Sequence, residues 1–158
     1  EGIPESDEEP VATLSIQEPG RLASDGHYLV TVTLEGRTVW FYDLSSVRDD
    51  DSFKPIHFPR EIGPMNLPQG IELWNGQLFV ADTVFHRVLI WNQMAEAIRG
   101  KMPDAVLGVE SIGPVGDMPP QTTRDHLFWP AALSYDGESL WVGEFKFSGR
   151  VLEFFGRK

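Results

Sequence analysis

One pattern occurs three times in this sequence, and that repetition limits the fold more than any other feature. The clearest copy covers residues 68–92, PQGIELWNGQLFVADTVFHRVLIWN. Its short apolar run over 70–74 is followed by Asn75-Gly76, a dipeptide typical of the two-residue type I′ hairpin turn. Residues 78–82 and 87–91 are rich in residues that suit strands and are joined by a longer turn over 83–86. The copy therefore predicts a meander of three antiparallel strands.

Looser copies of the pattern lie on either side. The first is PGRLASDGHYLVTVTLEGRTVWFYD, residues 19–43, and the third is PAALSYDGESLWVGEFKFSGRVLEFF, residues 130–155. Each copy opens with Pro, contains an Asp-Gly or Asn-Gly turn, starts its third strand with Arg and ends on aromatic residues. The strand-starting arginines are Arg37, Arg87 and Arg150, and the opening prolines are 49 and 62 residues apart. Strand repeats of about 40–50 residues are typical of propeller blades, so we predict an all-β fold built from blades of four antiparallel strands.

The blade repeats are predicted near residues 19–58, 68–108 and 130–155, within one propeller unit over 11–158. The outer strands of the first two blades are predicted at 54–58 and 105–107. Between them, QMAEAIR over 93–99 predicts a short helix that Asn92 caps and Gly100 ends. The third copy has no outer strand of its own, whereas a spare strand over 11–16 precedes the first. Residues 1–10 predict a disordered acidic tail.

Three blades do not close a ring, because propellers have about four to eight. Two-fold homodimers are the commonest oligomers, so we predict a six-bladed propeller made by two chains. In it, residues 11–16 of one chain supply the outer strand of the third blade of the other. The alternative is that the chain is a fragment of a longer six-bladed polypeptide, which would leave sheet edges and aromatic side chains exposed.

The second copy, with the Leu67 that precedes it, resembles the NHL repeat, whose blades read roughly P-x-G-I, then L-hydrophobic-V-A-D-T, then H-R-V. The segment PDAVLG over 103–108 resembles the outer strand of many microbial members. The resemblance covers nearly all of residues 19–155, but the first copy has Val32-Thr33 and the third Gly143-Glu144 in place of Ala-Asp. It implies a propeller scaffold in which His86, the family's usual His before Arg, is a structural turn residue.

Composition excludes several classes of partner and chemistry. The formal net charge of −11 argues against nucleic acid and anionic membrane surfaces as partners. The chain has no Cys, which excludes disulfides and thiolate sites, and it has no apolar run long enough to span a membrane. We expect a soluble protein that is cytoplasmic, or extracytoplasmic after processing.

The residues predicted near the central channel are three carboxylates and an arginine. Glu72, Asp82 and Glu144, doubled by a two-fold axis, would form an acidic ring able to hold Ca²⁺ through oxygen atoms, with Arg21 nearby. Resemblance to propeller enzymes of the gluconolactonase and paraoxonase type implies a metal at that place. The structural interpretation is that Asp82 pairs with Arg87, and Glu144 with Arg150, within their blades. Trp74 and Trp129 are candidates for surface recognition, with core packing as the alternative.

No motif for nucleophilic catalysis, phosphate binding or dinucleotide binding is present. The sequence therefore favours a non-catalytic scaffold that binds a protein, a peptide or a small ligand. The alternative is a metal-dependent hydrolase, lactonase or lyase with its site in the central channel. No cofactor is expected apart from Ca²⁺ in that alternative.

Overall fold

The computed structural model describes residues 9–10, 13–33, 37–46, 52–110, 112 and 122–156. Within them the fold is all-β, as predicted, with three antiparallel sheets that follow one another along the chain. The first sheet contains β1 (Pro19–Ser24), β2 (Tyr28–Thr33), β3 (Val39–Asp43) and β4 (Lys54–Pro55); the second contains β5 (Pro68–Trp74), β6 (Gln77–Asp82), β7 (Arg87–Trp91) and β8 (Ala105–Leu107); the third contains β9 (Pro130–Tyr135), β10 (Ser139–Glu144) and β11 (Val151–Phe155).

Each sheet is a meander in chain order, and the three repeats of the sequence correspond to the three sheets. The first strand of the middle sheet, β5, lies beside the first strands of both other sheets, β1 and β9. We call β1, β5 and β9 the inner strands. The hairpin between β5 and β6 has the predicted turn, because Asn75 and Gly76 have φ angles of 47° and 81°.

The core consists of two layers, one on each face of the middle sheet. Because strand side chains alternate between faces, Val80 and Leu89 pack with Val30 of the first sheet, whereas Phe79 and Val88 pack with the third sheet. The middle sheet is therefore buried on both faces, which explains why its strands read as nearly continuous apolar runs.

Glycine lets the inner strands approach closely. A Cβ atom on Gly70 would lie 2.9 Å from the Ala81 Cβ and 3.1 Å from the Ala131 backbone oxygen. Any side chain at this position would therefore push the second sheet away from the third.

Several local predictions need correction. The outer strand expected over 54–58 is shorter, Lys54–Pro55, although the Ile56 N–H after it still donates to the Val39 carbonyl of β3 at 2.8 Å. The helix is present over Met94–Ile98, but its N-cap is Gln93 rather than Asn92. The Asn92 side-chain oxygen, the atom that would cap the helix, instead accepts a hydrogen bond from Gln77 Nε2 at 3.4 Å.

The segment expected as a spare outer strand is described only from residue 13. There it makes one isolated parallel bridge, from Ser15 to Ser52 of the same chain. Residues 1–8 of the predicted tail, residues 11–12 and, in the connection between the second and third sheets, residues 111 and 113–121 lie outside the described residues. Among those that are described, the chain forms no helix of the length and apolarity that crossing a bilayer requires.

Candidate functional site

The same irregularity occurs at the start of all three inner strands. The pairing of β1 with β2 shifts between Pro19 and Leu22, and that of β5 with β6 between Pro68 and Gly70. The pairing of β9 with β10 shifts in the same way, so that Ala131 is the extra residue. Such β-bulges redirect side chains and are frequent beside functional sites.

A second repeated feature precedes each bulge. The residue before each opening proline has a positive φ angle: 48° at Glu18, 56° at Leu67 and 51° at Trp129. Non-glycine residues rarely adopt this conformation, and a residue before proline normally prefers an extended one. The three sheets are therefore entered, at the same end, through residues in strained backbone conformations.

The entries and bulges enclose a pocket of about 280 Å³, which we call the junction pocket. All three sheets contribute to it. Its apolar wall includes Leu67, Ala131 and Phe145, and its polar lining includes Arg21 and Gln69. The complete lining is Gly20, Arg21, Val32, Thr33, Leu67, Pro68, Gln69, Ala131 and Phe145.

Asp82 does not line this pocket, because it is fully buried in an ion pair with Arg87. The Arg87 Nε donates to Asp82 Oδ2 at 2.9 Å, and Nη2 lies 2.8 Å from the same oxygen. The other carboxylate oxygen accepts the Asn66 backbone N–H at 2.7 Å. Burial raises the pKa of Asp82 to about 6, although Arg87 and the Asn66 N–H act in the opposite direction by favouring the charged form. The side chains of the predicted Asp82–Arg87 pair are thus completely removed from water.

Glu144 holds the equivalent place in the third sheet. It accepts two hydrogen bonds from Arg150, each 2.7 Å long, and one from the Phe128 backbone N–H, also 2.7 Å. Burial acts to raise the pKa of Glu144, but these donors together hold it below its ordinary value. Like Asp82, it receives a backbone N–H from the residue two before the opening proline. Both carboxylates therefore hold the strained entry of their own sheet in position.

The two arginines extend the same contacts to the neighbouring loops. Arg87 donates to the carbonyl oxygens of Ile62 and Ile112 at 3.0 and 3.1 Å. Arg150 donates to those of Thr123 and His126 at 2.9 and 3.1 Å. In the first sheet Thr33 occupies the carboxylate position, and Arg37 is exposed.

Glu72, the third candidate ligand, lies midway along β5. Strand alternation places it on the same face as Trp74, toward the third sheet. It is half-buried, and burial raises its pKa. Among the described residues, no three His, Asp or Glu side chains are grouped so that they could hold a metal ion.

The two candidate tryptophans both have packing partners. Trp74 meets the Tyr135 ring edge-on, with 5.4 Å between centroids, and it covers Gly137, where an added Cβ would lie 2.8 Å from the indole ring. Trp129 stacks on Phe145 at 6.3 Å, and the Lys146 ammonium lies 4.2 Å from the centre of its ring. Trp74 joins the second and third sheets, whereas Trp129 supports the Phe145 wall of the junction pocket.

His86 lies in the turn before Arg87 and contacts the third sheet. Its ring stacks on Phe128 with 5.3 Å between centroids, and its Nδ1 atom accepts the Trp129 backbone N–H at 3.2 Å. Burial lowers the pKa of His86, in the direction that favours the neutral ring an accepting Nδ1 requires. Since Thr83 also donates to the Pro130 carbonyl at 2.7 Å, this turn fixes the entry of β9.

Of the candidate residues, Arg21 is the one that lines the junction pocket; Glu72, Asp82 and Glu144 do not. Sequence reasoning missed Leu67, Gln69 and Phe145. The signal for the site was the proline that opens every copy, because each pocket-lining bulge begins at one.

A larger pocket, of about 430 Å³, lies on the outer face of the first sheet. It is lined by Trp40, Phe53 and Arg37 together with residues 15–18. Only the first sheet and its flanking segments contribute to it, so the repeat does not build this second pocket.

The chain matches no known family model and no curated protein. Among solved structures it is similar to the computationally designed Ika4 protein, at 10 % sequence identity and a TM-score of 0.40. The match covers 94 % of this chain and 98 % of that one. A similarity at this level assigns neither a family nor a function.

Proposed function

We propose that this chain is half of an NHL-like propeller and acts as a non-catalytic recognition scaffold. A small ligand, or the end of a peptide or protein, binds in the junction pocket. The single observation behind this proposal is that all three sheets start with a bulge that lines one pocket. Ligand sites are typically concave and mostly apolar, with a few placed polar groups, and the junction pocket has that composition.

The proposed scaffold binds without chemistry of its own. Two of the three acidic candidates, Asp82 and Glu144, are engaged by arginines and backbone amides. Both carboxylates accept backbone N–H groups at the entries of their inner strands. They therefore support the backbone that lines the pocket and do not face a ligand themselves. Arg21, Thr33 and Gln69 are the polar lining residues that face a ligand.

The ring of the proposed propeller is completed by a second copy of the chain. The middle sheet is covered on both faces, whereas each outer sheet has one apolar face without a neighbouring sheet among the described residues. On the third sheet this face presents Trp141, Val151 and Phe155, which are 40 %, 71 % and 72 % exposed. On the first it presents Leu22, which is 57 % exposed. A two-fold axis would bring the third sheet of each chain against the first sheet of the other and so repeat the packing seen within the chain.

The assembly is tested by light scattering coupled to size exclusion. The chain has a mass of 17.8 kDa, so a dimer has twice that mass. We expect the wild type to elute as the dimer and Phe155→Glu as the monomer. Phe147→Glu is the matched control, because Phe147 is equally apolar and 84 % exposed but lies in the loop after β10. A monomeric wild type, or dissociation by both variants alike, would overturn the two-chain ring.

The binding role is tested by a thermal-shift screen with a library of small organic acids, amines and neutral compounds. Compounds that bind the native state raise its melting temperature. We expect stabilising compounds whose effect is lost in Phe145→Ala and kept in Phe147→Ala, since only Phe145 lines the pocket. If no compound stabilises the protein, or if Phe145→Ala changes none of the shifts, the proposed binding role is wrong.

A further inference from the structure

We propose that the junction pocket takes a small organic monoanion, a carboxylate attached to an apolar body of about the size of one aromatic ring. This inference rests on the proposed function, because it specifies the ligand class of the same pocket. It depends on one cation, on two neutral polar residues and on the volume that the apolar wall encloses.

The cation is Arg21. It is the one charged residue in the described lining of the pocket. Its guanidinium makes no hydrogen bond or ion pair with any residue that the structure describes, in contrast to Arg87 and Arg150, whose guanidinium groups are committed to carboxylates. The bulge at the start of β1 includes Arg21, so the backbone irregularity and the unpaired charge occur at the same residue.

A guanidinium fork matches the two oxygens of a carboxylate, and such charge-assisted pairs are stronger than neutral hydrogen bonds. Thr33 and Gln69 add neutral donors to the same lining. Because no described acidic side chain lines the pocket, a cationic ligand would find no counter-charge there. The charge arrangement therefore selects an anion.

The remaining lining selects an apolar body. Val32, Leu67, Pro68, Ala131 and Phe145 form most of the wall. The volume of about 280 Å³, against about 30 Å³ for one water molecule in the liquid, accommodates on the order of ten non-hydrogen atoms. A monoanion also suits the chain as a whole, since its net charge of −11 opposes ligands of higher negative charge except where a local cation offsets it.

The experiment compares phenylacetate with phenylacetamide, which have nearly the same size and differ in charge, by isothermal titration calorimetry on the full chain. We expect phenylacetate to bind about tenfold or more tightly than phenylacetamide. In Arg21→Gln this preference should disappear, because the fork and its charge are lost. Arg37→Gln is the matched control, since Arg37 is also exposed but lines the pockets on the outer part of the first sheet instead.

Three outcomes would overturn the inference. Equal binding of both compounds, lost in Phe145→Ala, would leave the pocket and the proposed function standing and exclude an anionic ligand. A preference for phenylacetate that disappears in Arg37→Gln instead of Arg21→Gln would move the site to the first sheet. In the third outcome, neither compound binds at millimolar concentration, while the library screen yields other compounds whose binding is sensitive to Phe145→Ala. That result would show that the pocket takes another class of ligand.

Discussion

The buried pair in the middle sheet provides the sharpest test of how the fold is held together. Replacing Arg87 by Met keeps much of the volume of the side chain but removes the charge. It leaves the Asp82 carboxylate buried with the Asn66 N–H as its remaining described donor, and it leaves the carbonyl oxygens of Ile62 and Ile112 without the arginine. Removing one partner of a fully buried pair costs about 3–5 kcal/mol, so we expect Arg87→Met to lower the free energy of unfolding by that amount at pH 7.

Arg150→Met is the matched control in the third sheet. The Arg150 side chain is 27 % exposed, whereas that of Arg87 is completely buried. In Arg150→Met, water can replace some of the hydrogen bonds that Arg150 donates. We therefore expect the free energy of unfolding to fall by about 1.5–3 kcal/mol, as for hydrogen bonds to a charged group. Both values are measured by urea denaturation followed by tryptophan fluorescence.

The stability that Arg87→Met loses relative to wild type should depend on pH, and the pKa of Asp82 determines the direction. In Arg87→Met the pKa of Asp82, already raised to about 6 by burial, should rise further, because its cation is gone. A carboxyl whose folded-state pKa lies above its unfolded value stabilises the fold at low pH and loses that contribution as the pH rises through the folded pKa. Relative to wild type, the variant should therefore recover stability when the pH is lowered from 7 to 5.

The double variant Asp82→Leu/Arg87→Met removes both charges and should regain most of the loss, since apolar replacement of a buried pair is often neutral or stabilising. A cost of Arg87→Met no greater than that of Arg150→Met, or a cost that is the same at pH 5 and pH 7, would show that the Asp82–Arg87 pair does not stabilise the fold as a buried ion pair.

Three further predictions concern single positions. Gly70→Ala should lower the free energy of unfolding in urea by about 1–3 kcal/mol, because the added Cβ meets both the partner strand and the third sheet. At Gly156 nothing lies within 4 Å, so Gly156→Ala should change stability by less than about 0.5 kcal/mol. Equal effects of the two substitutions would contradict the close approach of the inner strands. Carbon-13 NMR titration should show the pKa of Glu144 below its ordinary value. The contribution of Glu144 to stability is then present above its unfolded-state pKa and is lost as the pH falls through its folded-state pKa. If Arg150→Met left the pKa of Glu144 unchanged, that result would be inconsistent with the hydrogen bonds between the two residues. Asn75→Ala should lower stability by about 1–2 kcal/mol in thermal unfolding, because the φ angle of Asn75 is 47°. Asn75→Gly should not lower it. If Asn75→Ala left the stability unchanged, that result would argue against the type I′ turn.

The sequence by itself determined the strands and turns. Alternating and continuous apolar runs, the Asn75-Gly76 turn and the repeated arginines were enough to predict three meanders in the right places, because these signals act over a few residues. The strand Arg87–Trp91 was predicted with its observed limits. The pairs of Arg87 with Asp82 and of Arg150 with Glu144 were also predicted, since partners on adjacent strands must face one another.

Only the tertiary structure decided how deeply those pairs are buried and which residues form a pocket. Leu67 and Gln69, which flank Pro68, are far from Phe145 in the chain, and no local pattern brings them together. They meet because β5 packs beside β1 and β9, and because each inner strand has a bulge after its proline. Hydrogen bonds to Asp82 and Glu144 also hold the entries of the second and third sheets in strained conformations. Local patterns specify which face of a strand is apolar, but the long-range packing of three sheets determines which polar groups are left facing a cavity.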